Sequence, residues 1–119
     1  AEIGYVVGDV KGKTAVLVDD MIDTAGTLCA AAETVLDEGA ARVIACATHG
    51  VFSDPAFERL PYEKSRIERI VVTDTMPLRD GAPDNITVLS TAQTLADSIR
   101  RIFSDDSVSE IFAGENQLF

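Results

Sequence analysis

The feature that most constrains the fold is a short apolar run that ends in two adjacent carboxylates. Residues Ala15–Val18 are all apolar, and Asp19 and Asp20 follow them directly. Such a run is typical of a strand buried on both faces, as in a parallel sheet. The carboxylates would then lie at the carboxyl end of the strand, the edge at which open α/β sheets bind ligands. The run therefore predicts an α/β protein with a ligand site beginning at Asp19.

A loop of small and hydroxyl-bearing residues comes next, and a helical pattern follows it. The loop is Asp23–Thr27, with the sequence Asp-Thr-Ala-Gly-Thr. Backbone N–H groups at a helix start, together with the positive end of the helix dipole, form a cradle for phosphate. The two carboxylates could hold sugar hydroxyls or a divalent cation. Each part alone is also an ordinary strand exit or helix cap; together they predict a site for a ribose 5-phosphate.

The rest of the chain alternates strands and helices, with periodicities that predict their bounds. We predict strands over Ile3–Val10, Thr14–Asp19, Arg42–Thr48, Arg69–Thr73 and Ile86–Ser90, and helices over about Thr27–Glu38, Pro55–Leu60 and Thr91–Phe103. The first two strands would be joined by a turn at Lys11–Lys13. These two lysines are the only cations close in sequence to the loop, and they would lie at the opposite end of the sheet from the carboxylates.

Composition and charge exclude several classes of function. The chain of 119 residues has room for one domain, and its net charge of −10 disfavours nucleic acid and anionic membranes as partners. No apolar run approaches the roughly 20 residues of a membrane helix. We expect Cys29 and Cys46 to be buried free thiols and the location to be cytoplasmic. His49 ends a predicted strand, but without a second histidine nearby it does not predict a zinc site.

Several segments resemble known families. The stretch Val16–Thr27 resembles the signature of type I phosphoribosyltransferases that binds 5-phosphoribosyl 1-diphosphate (PRPP). Further segments are similar to ribose-phosphate pyrophosphokinase (PRPP synthetase), namely Val7–Val10, Ala47–Ser53, Pro55–Ala56, Ile67–Pro77 and Ser107–Phe112. The resemblance implies an α/β, phosphoribosyltransferase-like fold with a mainly parallel sheet and flanking helices. It also implies that residues 1–119 are the C-terminal, ribose 5-phosphate-binding part of such a protein, with the N-terminal part of the domain missing.

The same resemblance implies a reaction and a set of site residues. The family transfers diphosphate from ATP to ribose 5-phosphate with Mg²⁺, giving PRPP and AMP. By resemblance, ribose 5-phosphate would bind Asp19, Asp20, Asp23, Thr24, Ala25, Gly26 and Thr27. Mg²⁺ would bind Asp19 and Asp20, directly or through the ribose. A regulatory phosphate site would include Ser107, Ser109 and Phe112.

The resemblance also bears on catalysis and assembly. The family's cationic catalytic loop would lie upstream of this chain, so no catalytic residue is assigned and we expect the chain alone to be inactive. We expect a homo-oligomer in the full-length protein. Two alternatives stay open: a non-catalytic regulatory homologue, and a phosphoribosyltransferase that consumes PRPP but would share only the first motif.

Overall fold

The computed structural model describes residues 5–112, which divide into two compact units between Leu89 and Ser90. The elements of the first unit are β1 (Thr14–Ile22), α1 (Gly26–Asp37), β2 (Arg42–Gly50), α2 (Ala56–Arg59), α3 (Tyr62–Ser65), β3 (Arg69–Thr73) and β4 (Ile86–Leu89). The second unit contains α4 (Ala92–Phe103) and a 3₁₀ helix (Val108–Phe112). The predicted alternation of strands and helices is therefore confirmed.

The four strands form one sheet in the order β1-β2-β3-β4, and every neighbouring pair is parallel. In the register of β1 and β2, Asp19 lies beside Ala47 and Met21 lies beside His49. Because the strands are parallel, their carboxyl ends lie at one edge of the sheet. The loop between β1 and α1 therefore starts at the edge where α/β sheets bind ligands.

The core covers one face of this sheet. Val43, Ala45, Ile70 and Val72 alternate along β2 and β3 and are buried, as is Ala32 of α1. Helix α1 packs against β1 and β2 and also contacts α2 and α3. Leu60 and Ile67, from the segment between α2 and β3, complete the same cluster. This packing fixes α1, and with it the loop that precedes α1.

The second face of the sheet is open, which corrects the prediction that β1 is buried on both faces. Val16 is 55% exposed, Val18 79% and Leu89 54%. Successive side chains of a strand point to opposite faces, so Val16 and Val18 lie together on the face away from the core. An entirely apolar run carries no alternation that could have distinguished one buried face from two.

Three predicted strands differ from the structure in their length: β1 and β2 are longer, and β4 ends at Leu89 instead of Ser90. Strands β1 and β2 continue to Ile22 and Gly50, because their pairing persists through Met21–His49 and Ile22–Gly50. Asp20, which was predicted to follow the strand, therefore lies within it, and Asp19 is not the last residue of the strand. The short helix α3 was not anticipated.

The predicted strand Ile3–Val10 is wrong over its described part. Residues 3 and 4 lie outside the described range, and residues 5–10 form no strand. Gly8 has a φ of 99°, and the Lys11 N–H donates to Asp9 Oδ1 at 2.9 Å, which makes a local turn. Tyr5 and Val7 are exposed, so this segment lacks the packing that would favour an extended strand.

Candidate functional site

The loop between β1 and α1 has the geometry of an anion cradle. Helix α1 begins at Gly26 after Ala25, whose φ of 64° is left-handed, and no side chain caps the helix. The first helical hydrogen bond runs from the Cys29 N–H to the Ala25 carbonyl, at 3.0 Å. The N–H groups of residues 26–28 consequently have no acceptor within the helix. The positive end of the helix dipole adds to their attraction for an anion.

A cavity of about 180 Å³ joins this loop to β1. Its lining contains all the predicted sugar-phosphate residues except one: Asp19, Asp23, Thr24, Ala25, Gly26 and Thr27. Asp20 is the exception, because adjacent residues of a strand face opposite sides of the sheet. The Asp20 N–H donates to Asp19 Oδ1 at 2.8 Å. The fold thus brings Asp19 to the loop, while Asp20 lies outside the lining of the cavity.

The positions of Asp19 and Asp20 determine whether they suit the predicted Mg²⁺ site. Within residues 5–112 no three His, Cys, Asp or Glu side chains are grouped to hold a metal ion. Protein sites for Mg²⁺ often use only one or two carboxylates and are completed by substrate phosphates and water. Asp19, which lines the cavity, fits such a substrate-completed site. Because Asp20 faces the other side, the two carboxylates are poorly placed to chelate one ion together.

A cation that the sequence did not reveal contacts the loop. Arg59 Nη1 donates to the Thr24 carbonyl oxygen at 3.0 Å, across 35 positions of sequence. This corrects the expectation that only Lys11 and Lys13 are close to the loop. Those two lysines precede β1, as predicted, and the Gly12 N–H between them bonds the Gly39 carbonyl at 2.8 Å. The site therefore has one nearby arginine, contributed by the end of α2.

His49 lies at the same edge of the sheet but does not line the cavity. Its Nδ1 is 2.8 Å from Thr75 Oγ1, and the Thr73 hydroxyl donates to the Thr48 carbonyl at 2.7 Å. These contacts join the ends of β2 and β3. They favour a structural role for His49.

The two cysteines are free and only partly buried, less than predicted. Burial raises the pKa of the Cys29 thiol, and the charge of Arg59 acts against that shift. A neutral thiol beside α2 is consistent with a packing role.

The predicted regulatory residues lie in the second unit. Ser107 Oγ and Ser109 Oγ are hydrogen-bonded at 2.6 Å. Arg101 Nη1 donates to the Ser107 carbonyl at 3.0 Å and to Glu110 Oε2 at 2.7 Å. A cavity of about 520 Å³ in this unit is lined by other residues, namely Asp97, Arg100, Arg101, Ser104, Asp106, Glu110 and Ile111. The assignment of Ser107, Ser109 and Phe112 to a phosphate site stays a prediction.

Among the helices of residues 5–112, none has the length and apolar character needed to cross a membrane.

The fold and the loop Asp23–Thr27 together define a class of protein. It is an α/β domain in which a loop with the geometry of an anion cradle lies at the carboxyl edge of a parallel sheet. Residues 4–113 match the model of the phosphoribosyl synthetase-associated domain. The chain belongs to that family.

Named relatives give the comparison more detail. The chain is 54% identical over 113 residues to a ribose-phosphate pyrophosphokinase of Caldanaerobacter subterraneus, covering 94% of this chain and 35% of the relative. It is 51% identical over 112 residues to that of Aquifex aeolicus, covering 94% and 35%. The crystal structure of phosphoribosylpyrophosphate synthetase from Mycobacterium smegmatis superposes with a TM-score of 0.78 at 48% identity, covering 85% of this chain and 34% of that one.

These matches confirm the family resemblance and the parallel α/β fold. The chain spans about a third of the length of the relatives it matches. The matches do not support the two narrower predictions, that the chain is the C-terminal part and that the N-terminal part of the domain is missing. Both stay predictions.

Proposed function

We propose that this chain is the ribose 5-phosphate-binding part of a ribose-phosphate diphosphokinase. Such an enzyme transfers diphosphate from ATP to ribose 5-phosphate, giving PRPP and AMP. The observation that carries the proposal is the cavity in which Asp19 and the loop Asp23–Thr27 face one another. Similarity to proteins named ribose-phosphate pyrophosphokinase over almost the whole chain supports it.

The cavity offers complementary groups to the two ends of the sugar phosphate. The N–H groups at the start of α1 and the hydroxyls of Thr24 and Thr27 would bind the 5-phosphate. Asp19 would accept hydrogen bonds from ribose hydroxyls. Asp23 accepts hydrogen bonds when it is ionised. It would therefore accept them from N–H groups of the loop or from hydroxyls of the sugar, and it would not bind the phosphate oxygens. Holding both ends of the ligand fixes where its reacting hydroxyl lies.

Positioning the acceptor sugar is a large part of the catalysis that this reaction requires from the protein. Phosphoryl-group transfers depend on alignment of the nucleophile and on neutralisation of developing charge, with little covalent chemistry by side chains. Mg²⁺, when bound, would neutralise phosphate charge, and Asp19 is the residue best placed to hold it. This part would bind and orient the acceptor sugar, and diphosphate transfer would in addition need cationic groups beside the transferring phosphates.

Two alternatives differ in what they require of the site. A regulatory homologue would bind the sugar phosphate and never transfer diphosphate. A phosphoribosyltransferase would consume PRPP; the similarity to pyrophosphokinases, which extends well beyond the loop motif, disfavours it. The upstream sequence of the gene separates the first alternative from the enzyme, since the enzyme needs a loop with Lys and Arg.

The proposal is tested by ribose 5-phosphate binding to the chain and to a matched pair of variants. Calorimetric titrations in Mg²⁺ would compare wild type, Asp19→Asn and Asp20→Asn, with free ribose as the control ligand. A hydrogen bond to a charged group contributes about 1.5–3 kcal/mol, so Asp19→Asn should weaken binding about tenfold or more. Asp20→Asn should have a smaller effect, because its side chain faces away from the cavity.

Melting temperatures should be unchanged in both variants, which separates lost contacts from lost folding. Absence of ribose 5-phosphate binding by the wild-type chain would contradict the proposal. Undiminished binding by the Asp19→Asn, Asp20→Asn double variant would contradict the assignment of the carboxylates.

A further inference from the structure

The last residue of α2 contacts the loop Asp23–Thr27. Arg59 ends that helix, and its Nη1 donates to the Thr24 carbonyl oxygen at 3.0 Å. Its own backbone carbonyl lies 3.9 Å from Cys29 Sγ on α1. The arginine is therefore connected both to the loop and to the helix that the loop begins.

The hydrogen bond to Thr24 determines where the next N–H group points. The Thr24 carbonyl and the Ala25 N–H belong to one planar trans peptide group, so they point in opposite directions. With the carbonyl turned toward Arg59, the Ala25 N–H is turned away from it. Ala25 is also left-handed, with a φ of 64°, and only 5% exposed. The arginine thus stabilises a peptide orientation at a residue whose conformation is rarely adopted by L residues.

Gly26 shows that this approach is close. A Cβ added there would lie 3.2 Å from Arg59 Nη1 and 3.9 Å from Cζ. The backbone of Gly26 is not left-handed, so its conformation does not demand glycine. A side chain at position 26 would instead require the guanidinium to shift by a few tenths of an ångström.

Charge gives the same arginine a second effect. The chain has a net charge of −10, and the cavity itself contains Asp19 and Asp23. A phosphate dianion entering this cavity meets repulsion from both carboxylates. The guanidinium beside the loop is a fixed positive charge that offsets it.

We infer that Arg59 is a positioning residue of the sugar-phosphate loop, which orients the Thr24–Ala25 peptide for phosphate binding and supplies positive charge behind it. The inference deepens the proposed function and rests on it, because the anion concerned is the phosphate of the sugar.

The test compares four variants of the purified chain with wild type, using ribose 5-phosphate and inorganic phosphate as probes. Arg59→Gln removes the charge, and Arg59→Lys keeps it. Gly26→Ala displaces the guanidinium without altering it. Arg69→Gln is the matched control for charge, because Arg69 bonds Thr87 at the start of β3 and β4, at the opposite edge of the sheet.

We expect Arg59→Gln to weaken ribose 5-phosphate binding about tenfold or more, and Gly26→Ala to weaken it in the same direction. Arg59→Lys should retain most of the affinity, within about threefold, since it keeps a cation but not the planar fork. Arg69→Gln should change affinity by less than about twofold, as expected for a distant, screened charge. The Ala25 amide resonance should shift with phosphate in wild type and not in Arg59→Gln, while every variant remains folded at the temperature of the assay.

The outcomes separate this inference from the proposed function. Wild type that binds neither probe contradicts the proposed function and this inference with it. Wild type that binds ribose 5-phosphate, with Arg59→Gln binding equally well, overturns the role of Arg59 alone. Equal losses in Arg59→Gln and Arg69→Gln would likewise overturn it, because only net charge would then matter.

Discussion

Gly50, at the end of β2, is the described glycine whose added Cβ would make the shortest contact. A Cβ at this glycine would lie 2.5 Å from Phe52 Cε2, 3.1 Å from Cζ and 3.2 Å from Cδ2. The Phe52 ring is 1% exposed, and its centroid lies 5.4 Å from that of Phe57. The ring cannot yield without disturbing the core. Gly50→Ala should therefore destabilise the fold.

Two opposing effects set the size of this loss. Overpacking a well-packed core costs about 1–3 kcal/mol. Replacing glycine by alanine restricts the unfolded chain and stabilises the fold by about 0.4–1 kcal/mol where the backbone permits alanine. The backbone of Gly50 is not left-handed, so it permits alanine. A net loss of about 1 kcal/mol remains, between limits of roughly 0 and 2.6 kcal/mol, and each kcal/mol lowers Tm by about 4 °C or more in a domain of this size.

Thermal and urea unfolding followed by circular dichroism would measure the loss, in a double-mutant cycle with Phe52→Leu. If the aromatic ring causes the clash, the penalty of Gly50→Ala should fall by about 0.5 kcal/mol or more in the Phe52→Leu background. Equal penalties in the two backgrounds, or a raised Tm for Gly50→Ala, would refute the reasoning. The site should respond as well, because the N–H groups of Val51 and Phe52 both donate to the carbonyl of Ile22, just before the loop.

Three further predictions concern catalysis, acid stability and association. The chain alone should release no AMP from ATP and ribose 5-phosphate, since diphosphate transfer needs several cationic groups beside the phosphates and hydrogen bonds within residues 5–112 bring only Arg59 to the loop; AMP release that depends on ribose 5-phosphate would overturn this. The hydrogen bond from Arg42, 2.7 Å from its Nε to Oε2, holds the pKa of Glu68 below the ordinary 4.5. This carboxylate therefore stabilises the fold above pH 4.5, and the stabilisation is lost as the pH falls through the lowered pKa. In Glu68→Gln the free energy of unfolding should depend less on pH over that acid range. An unchanged pH dependence would show that the ion pair of Glu68 with Arg42 does not stabilise the fold. The open sheet face should make the chain self-associate, so Val18→Lys should lower the sedimentation coefficient at high concentration; a compact monomeric wild type would contradict this.

Much of the fold followed from local patterns, because those patterns report backbone periodicity. The strand Arg69–Thr73 and the helix following the loop were predicted almost to their ends. The pairing of Asp19 with the loop Asp23–Thr27 was predictable as well, since a short loop after a strand must remain at the carboxyl edge of the sheet.

Features that depend on long-range packing were not predictable. Asp19 and Asp20 look like a pair in the sequence, but the strand extends through them and turns their side chains apart. Arg59 contacts Thr24 across 35 positions, and a contact between one side chain and a distant carbonyl leaves no periodic signal.

The order of the strands has a consequence for how this domain can fold during synthesis. In residues 5–112 each strand after β1 pairs with the strand made just before it, so the loops that these pairings close are short. A chain emerging from the ribosome could add its strands in the order of synthesis. The loop is made between β1 and β2, and Arg59 follows soon after β2. Arg59 could therefore bond the Thr24 carbonyl before β3 and β4 are synthesised. The loop Asp23–Thr27 would then take its final conformation early in folding.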